Sequence, residues 1–310
     1  MPRGDSPLLL QTLIDSLIRA SELTLIAVGL TMVYSVLRFP NFAHVEYATV
    51  GAYLAFALST TLGLNFELAI VLAIFGTALF GLLTDWLVFR RLRERADVIL
   101  MIASFALSIA IREFVLMIWG PSPQFYPVGF SPPLHVLGAL ITPVQIWIIA
   151  AALVCMVGFH LLLNRTRLGV SMRASADNRL LSEACGIPTD RVVRIIWLIG
   201  SGFAGLGGIL IALDTQVQPE IGEAIIIPVF GAAILGGIGS PYGAMLGALL
   251  FGLAENIGLT INWSPLLHSS GVGAGVVTYI PAGYKEAIPF ALLIAMLILR
   301  PQGIMGRRRR

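Results

Sequence analysis

The feature of this sequence that most constrains its fold is a series of long segments almost free of charged side chains. A helix needs roughly 20 apolar residues to cross about 30 Å of hydrocarbon, and segments of about that length recur along the chain. They cover residues 23–37, 47–66, 68–84, 98–111, 144–163, 195–213, 224–254 and 280–299. Because they lack the polar–apolar alternation of a transmembrane barrel, they predict an all-α membrane protein.

The segment at residues 224–254 is too long for one crossing. Glycine and proline interrupt it between Gly236 and Pro241, where they remove helix propensity and a backbone donor. The sequence therefore predicts two membrane-entering helices there, and a polytopic bundle of eight or nine membrane segments in a single domain over residues 1–310. A charged fraction of only 12%, about half that of a soluble domain, agrees with this prediction.

The first apolar stretch, residues 8–20, contains Asp15 and Arg19. It lacks the small-residue cleavage site of a secretory signal peptide. Three interpretations stay open: an interfacial amphipathic helix, the beginning of the first membrane segment, or a frayed terminus. Cys155 and Cys185 have neither disulfide nor metal-ligand spacing, so we expect both to pack as ordinary side chains.

Most of the 20 basic residues lie in four places, and basic residues near membrane segments favour the cytoplasmic side. The four are Arg38, the arginines of residues 90–95, those of residues 164–194, and those of residues 300–310. The connections at residues 60–67, 120–143, 214–223 and 256–279 contain no Lys or Arg. The pattern predicts a multi-pass protein whose basic tail, residues 300–310, is cytoplasmic; the side of the N-terminus stays open. Because the arginines lie next to membrane segments, the net charge of +3 does not indicate nucleic-acid binding.

The largest polar segment, residues 164–194, predicts a docking element in the cytoplasm. Residues 174–181 have the composition of a short helix, which Gly186 and Pro188 would end. The alternative is a solvated linker that only joins two membrane segments.

Polar residues beside or within the apolar segments are candidates for the functional site, because an unpaired charge there costs at least roughly 2.5 kcal/mol. Asn41, His44 and Glu46 are the first group, predicted either to line a translocation path or gate, or to form a capping network with Arg38. The pairs Arg112–Glu113, Glu255–Asn256 and Lys285–Glu286 favour interhelical pairing or snorkelling over substrate contact.

The interrupted segment supplies the second group. Unwound backbone at membrane depth is tolerated only where protein or a water-filled cavity satisfies it. We therefore expect Gly236, Gly237, Gly239 and Pro241 to lie beside the path.

At the residue level the chain resembles the permease subunits of branched-chain amino acid ABC importers. Arg173-Ala174, Asn178, Ala184 and Gly186-Ile187 match the RAxxxNxxxxxAxGI pattern of that family's cytoplasmic loop. Residues 41–46 are similar to its NFAHGE, residues 119–120 to its LWG, residues 235–241 to its LGGIGS and residues 300–303 to its RPxG. Val45 stands where the family has glycine, which puts any backbone approach to substrate there in doubt.

The resemblance implies that the cytoplasmic loop is a coupling helix seated in a groove of a separate ATPase subunit. The implied coupling residues are Arg173, Ala174, Asn178, Arg179, Glu183, Ala184 and Gly186. It further implies a location in the lipid of a bacterial inner membrane, an extracytoplasmic solute-binding protein, and pairing with a second homologous permease or with another copy. The chain lacks a P-loop, since its only lysine, Lys285, follows Tyr284. We therefore expect no enzymatic site and no cofactor of its own, with ATP bound by the partner.

Three rival functions are weighed against this one. A permease for urea or short amides resembles the same family, and no residue distinguishes it. An ion-gradient-driven secondary transporter would favour mid-membrane charges and inverted repeats. A membrane enzyme would need clustered catalytic groups, whereas His44, His135, His160 and His268 are far apart along the chain.

Overall fold

The computed structural model describes residues 5–129, 132–136, 138–260, 287–300 and 302–306, with side chains from residue 9 onward. The predicted connection at residues 256–279 lies mostly outside these residues, as do His268, Lys285, Glu286, Pro301 and the arginines at positions 307–310. The helices are α1 (Asp5–Leu37), α2 (Glu46–Phe56), α3 (Phe66–Thr84), α4 (Arg90–Leu92), α5 (Asp97–Trp119), α6 (Pro143–Arg165), α7 (Arg167–Asp177), α8 (Arg179–Ala184), α9 (Thr189–Asp214), α10 (Ile221–Gly236), α11 (Pro241–Thr260) and α12 (Ala287–Leu299).

Short irregular elements join these helices. A 3₁₀ turn, Phe42–His44, precedes α2, and one π-helical turn, Ala57–Thr61, extends it. A second π-helical turn, Asp85–Phe89, links α3 to α4. Strands β1 (Leu134–Val136) and β2 (Ala139–Ile141) form an antiparallel hairpin in which Leu134 pairs with Ile141.

Within the described residues, six helices are long and apolar enough to cross a membrane. They are Leu9–Leu37, Phe66–Leu92, Asp97–Trp119, Pro143–Arg165, Thr189–Asp214 and Pro241–Thr260. Helices α10 and α12 are apolar but shorter. The prediction of a mostly helical membrane protein is confirmed.

Helices α1 and α9 form the centre of the bundle. In each, 78% of the most apolar window is buried by the rest of the chain, against 28% in the crossings of α3 and α5 and 22% in α6. The exposed faces of those three outer helices carry leucine, isoleucine, valine and phenylalanine, which is what contact with lipid tails requires.

Glycines let α9 approach its neighbours closely. A Cβ atom on Gly208 would lie 2.0 Å from the Ala48 carbonyl oxygen of α2, and one on Gly205 would lie 2.8 Å from Thr77 of α3. Likewise, a Cβ atom on Gly29 of α1 would lie 2.5 Å from the Gly200 carbonyl oxygen. Small residues that allow such backbone contact are how membrane helices pack without a hydrophobic driving force.

Helix α1 runs without a break from Asp5 to Leu37. Of the three interpretations of residues 8–20, the beginning of the first membrane segment is therefore confirmed. Arg19 in this stretch pairs with Glu22 at 3.4 Å and with Glu255 of α11 at 3.3 Å. The interhelical pairing predicted for Glu255 is thus confirmed, and it ties α11 to the central helix.

Candidate functional site

The chain reverses direction directly after α1 and returns along it. Arg38 has φ 62°, and its N–H donates to the Tyr34 carbonyl at 2.8 Å, a left-handed end that helices commonly use. A Cβ on Gly29 would lie 2.8 Å from Nε2 of His44. Gly29 is eight residues before Leu37, about 12 Å along the helix, so the returning segment lies against α1. Phe39, Asn41 and residues 43–46 are buried there, and Pro40 and Phe42 are partly buried.

Arg38 does not take part in this buried segment. Its guanidinium donates to the Ala176 carbonyl of α7 at 2.6 Å. The alternative in which Arg38 joins Asn41, His44 and Glu46 in a capping network is therefore wrong. The reason is geometric: the left-handed turn directs the Arg38 side chain toward α7, while the backbone turns into the bundle.

Glu46 begins α2 and lies at a junction of three helices. Its side chain accepts hydrogen bonds from Thr49 of α2 at 3.0 Å and from Ser108 of α5 at 3.3 Å. The N–H of Gly222, at the start of α10, donates to the Thr49 hydroxyl at 2.9 Å. The residue is only 2% exposed, and the N-terminal ends of α2 and α10 both favour a negative charge here. We name Glu46, Thr49, Ser108 and Gly222 the junction site.

Gly222 is fitted closely to this carboxylate, because a Cβ there would lie 2.4 Å from Oε2 of Glu46. The next residue, Glu223, pairs with Arg112 of α5, which also pairs with Glu113 at 2.9 Å. The interhelical pairing predicted for Arg112 is confirmed. These three side chains are partly exposed on helices that otherwise carry apolar residues, directly beside the junction site.

Asn41 and His44 are fully buried near the junction site. Among the described residues, their side-chain nitrogen and oxygen atoms make no hydrogen bond of standard geometry, but the Ile26 backbone lies near the His44 ring and the Tyr47 hydroxyl lies near the Asn41 side chain. The His44 ring also meets the edge of Tyr47 with centroids 5.6 Å apart. Val45, directly after His44, has φ −69°, so the position does not need glycine.

The break between α10 and α11 forms as predicted, with Gly237 at φ 109° and Gly239 at φ 87°. The freed carbonyl groups of Leu235 and Gly236 accept from the N–H groups of Ile304 and Met305 at 3.0 and 2.9 Å. Protein backbone therefore satisfies the inner part of this break.

A cavity of about 930 Å³ opens beside the outer part, and Gly239, Pro241, Arg38, Arg173 and Ala176 help to line it. Gly236 lies 14 residues, about 21 Å, along α10 from Gly222. The two groups of predicted path residues are therefore not brought together: one lies at the junction site and the other beside α7.

The loop of residues 164–194, which the sequence predicts to be cytoplasmic, contains two helices, α7 and α8, which meet at Asn178. The prediction of one helix over residues 174–181 is wrong, because the Asn178 side chain accepts from the Leu181 N–H at 3.1 Å and starts a new helix. Side-chain oxygens that compete in this way favour helix starts over helix interiors. The predicted end is confirmed by Gly186, at φ 83°.

Charged side chains fix α8 to the beginning of α9. Arg179 pairs with Glu183 at 3.0 Å and with Asp190 at 3.3 Å. The Glu183 carboxylate also accepts from the Thr189 hydroxyl, and this bond, with Arg179 second, lowers its pKa below the ordinary 4.5. Arg173, by contrast, donates to the Leu163 carbonyl at the end of α6.

Sequence reasoning missed the apolar part of this surface. Leu180 is 79% exposed and Leu181 61% exposed on a loop outside the apolar segments, where such residues mark interaction sites. It also missed Thr49 and Ser108, although the spacing of Ser104, Ser108 and Arg112 places a polar stripe on one face of α5.

Comparison with known proteins gives consistent matches over nearly the whole chain. Residues 12–297 match the family described as branched-chain amino acid transport system / permease component. The high-affinity branched-chain amino acid transport system permease protein BraD of Pseudomonas aeruginosa is 33% identical over 96% of both chains. LivH of Escherichia coli K12, a permease protein of the same description, is 31% identical over 96% of both. Among solved structures, PsaBC from Streptococcus pneumoniae in complex with Fab covers 93% of this chain and 91% of its own at 14% identity, with a TM-score of 0.47.

Proposed function

Because the chain belongs to the family of branched-chain amino acid transport permease components, we propose that it translocates branched-chain or other hydrophobic amino acids across a bacterial inner membrane. In this proposal it is the membrane-spanning subunit of an ATP-binding-cassette importer, and it carries no ATPase site of its own. The observation that carries the proposal is the pairing of a multi-helix membrane bundle with an exposed cytoplasmic loop whose residues match the family pattern. An extracytoplasmic binding protein delivers the substrate, and a second permease, homologous or identical, completes the path.

The proposed topology has eight or nine membrane segments. The six long helices together with α10 and α12 supply eight, and α2, which starts inside the bundle at Glu46, supplies a partial ninth. Gln302 and Met305 line the same cavity as Arg38 and Arg173, which supports a cytoplasmic C-terminal segment. Since α1 ends there, its beginning lies on the opposite side.

The coupling step uses α8 as the contact with the ATPase subunit. Leu180 and Leu181 enter an apolar groove of that subunit, and the ion pairs of Arg179 make α8 and the start of α9 move together. Arg38 attaches the end of α1 to the same loop through Ala176. Motion of the loop therefore reaches the two central helices directly, and the bundle alternates between outward and inward access.

The translocation step uses the junction site. Glu46 attracts the ammonium group of an amino acid, while Arg112, held between Glu113 and Glu223, fixes α5 to α10 beside the path. A carboxylate at this point favours a substrate with an ammonium group over neutral urea or a short amide, because a hydrogen bond between two charged groups is stronger.

The coupling proposal is tested by co-purification with the ATPase subunit. We expect Leu180→Asp to abolish the complex, because it places a charge in an apolar contact, and Arg173→Glu to weaken it. Ser171→Asp is the matched control, since it adds the same charge to a half-exposed position of α7 and should leave the complex intact. Complex formation by Leu180→Asp would refute the assigned contact.

The transport proposal is tested with labelled leucine in proteoliposomes that contain the permeases, the ATPase and the binding protein. Uptake should need ATP and the binding protein, and excess urea should not compete. Uptake by this chain alone under an ion gradient would instead support a secondary transporter. Competition by urea at concentrations similar to leucine would support the amide alternative.

A further inference from the structure

A cavity of about 530 Å³ lies where α3 passes through its π-helical turn into α4, against the first turns of α9. It is distinct from the junction site and from the exposed surface of α8. Three arginines, Arg90, Arg93 and Arg194, line it together with Asp85 and Asp190. This end of α3 carries the arginine cluster at residues 90–95 that the sequence pattern assigns to the cytoplasmic side.

The charges of this cavity do not cancel. Asp85 accepts two hydrogen bonds from Arg93, at 2.6 and 2.7 Å. Asp190 lies 3.6 Å from Arg93 and also forms an ion pair with Arg179. Both carboxylates are thus already neutralised by cations.

Two arginines remain available to a ligand. In the part of the chain that the structure describes, Arg90 makes no side-chain hydrogen bond and no ion pair within 4.0 Å, and it acts on Asp85 only through its charge at longer range. The Nε of Arg194 donates only to a backbone carbonyl, that of Asp190, at 3.3 Å. Both side chains are exposed. Guanidinium groups in this condition suit phosphate, which accepts paired N–H donors.

The opposite wall of the cavity is apolar and continues along the outside of the bundle. Leu79 is 62% exposed, Trp86 is 52% exposed, and Leu83 lies between them. Exposed Phe75 continues the same face one turn further along α3, at the spacing of one helix stripe. Tryptophan with basic neighbours is typical of the boundary between headgroups and hydrocarbon, and Arg91 stacks over the Trp86 ring at 6.0 Å.

We propose that Arg90 and Arg194 bind the phosphate of an anionic phospholipid of the cytoplasmic leaflet, while one acyl chain lies along Leu79, Leu83 and Trp86. The combination of exposed guanidinium groups that form no direct ion pair in the described residues with an exposed leucine stripe fits an amphiphile better than a soluble anion. Basic pockets between membrane helices on the cytoplasmic side bind such headgroups. The proposal does not depend on which solute the protein carries.

This lipid site is joined to the cytoplasmic loop by shared side chains. Arg93 contacts Asp190, and Asp190 receives Arg179 of α8. A phosphate at Arg194 lies one turn from Asp190 along α9. The headgroup therefore stabilises the start of α9 in the position that holds α8, which makes the arrangement of the loop depend on anionic lipid.

The test measures binding of dioleoylphosphatidylglycerol to the purified full-length chain by native mass spectrometry, with dioleoylphosphatidylcholine as the neutral-headgroup comparison. We expect phosphatidylglycerol to bind the unmodified chain about tenfold more tightly than phosphatidylcholine, because each arginine near the surface contributes on the order of a few-fold. The double variant Arg90→Ala/Arg194→Ala should bring the two lipids within about threefold. Arg165→Ala/Arg191→Ala removes the same charge from exposed positions outside the cavity and should keep the preference.

Two further results decide between a lipid and its soluble headgroup. Millimolar sn-glycerol 3-phosphate should not displace phosphatidylglycerol, since it lacks the acyl chain that contacts α3. Displacement by that compound, equal binding of the two lipids to the unmodified chain, or an equal loss in the control variant would each overturn the proposal. Arg90 and Arg194 are exposed, so both double variants should melt at the temperature of the unmodified chain, and this is checked first.

Discussion

The junction site and the loop of residues 164–194 hold polar side chains by opposite means. At the junction site a buried carboxylate, Glu46, is held by two hydroxyl groups and by the beginnings of two helices, and no residue within the described parts forms a salt bridge with it. In the loop, Arg179 and Glu183 are paired in contact with water. Buried polar groups must be satisfied by neighbours, whereas exposed ion pairs contribute little to stability.

The difference matters for what each region can do. The junction site is positioned by close contacts between helix backbones, so a small change there is transmitted to the packing of α2 against α9. The loop is fixed by a few side chains at its ends and presents Leu180 outward. The first arrangement suits a site that selects and passes a solute, and the second suits a surface that binds and moves with a partner.

The largest effect that we expect tests the packing behind the junction site. Gly208→Ala places a methyl group 2.0 Å from the Ala48 carbonyl, so α9 must move away from α2, at a cost of about 3 kcal/mol. Gly158→Ala is the matched control, because a Cβ there meets nothing within 4 Å, and the change should be neutral or stabilise α6 by about 0.5–1 kcal/mol. Melting temperatures of the purified chains measure both. Equal effects would show that the α2–α9 contact is looser than the structure has it.

The second prediction separates two roles of Glu46: accepting hydrogen bonds from Thr49 and Ser108, and carrying a negative charge. Glu46→Ala leaves the Thr49 and Ser108 hydroxyl groups without their acceptor, which costs about 1–3 kcal/mol, and should lower ATP-dependent leucine uptake at least tenfold. Glu46→Gln keeps an acceptor, so we expect stability close to that of the unmodified chain with uptake still strongly reduced. Glu67→Gln, at an exposed carboxylate, is the control for both assays. Full uptake by the glutamine variant would remove the proposed role of the charge.

The third prediction concerns the boundary between α7 and α8. Asn178→Ala removes the cap of α8 and should cost about 1 kcal/mol, with weaker binding of the ATPase subunit because Leu180 loses its fixed position. Asn178→Asp keeps an oxygen acceptor for the Leu181 N–H and should behave like the unmodified chain. If the two variants were equally stable, the Asn178 cap would not define this helix boundary. Helices α7 and α8 would then be closer to one continuous helix than the structure indicates.

The same contrast explains what could be predicted from the sequence. The apolar segments, the break between Gly236 and Pro241 and the polar loop depend on local composition, so each is visible in a short window. The exposed leucines of α8 are also visible in a short stretch of sequence, but they were overlooked because arginines dominate that stretch. The error at residues 174–181 came from judging helix composition while neglecting the capping capacity of Asn178.

The junction site could not be assembled from the sequence. Ser108 is 62 residues from Glu46, and Gly222 is 173 residues from Thr49; which helix faces meet is decided by packing of the whole bundle. Asn41, His44 and Glu46 were identified by the cost of polar groups among apolar ones, which is a local argument. Their distance from Gly236 and Gly239 depends on the length of α10. The sequence does not show at which residue α10 begins, so this length could not be predicted.

The smallest expected effect tests whether the ion pairs of the loop affect stability only at a pH at which Glu183 takes up a proton. The hydrogen bond from Thr189 and the neighbouring Arg179 lower the pKa of Glu183 in the folded chain below the ordinary 4.5. The stabilisation is therefore fully present above pH 4.5 and is lost as the pH falls through the lowered pKa, because the unfolded chain takes up the proton first.

Glu183→Gln should flatten this acid dependence while it changes the melting temperature near neutral pH only slightly, since the group is exposed. Melting curves of the two chains between pH 3.5 and 7 measure it, with Glu94→Gln as the control. Parallel curves for the unmodified and Glu183→Gln chains would mean that Thr189 and Arg179 do not hold this carboxylate in solution.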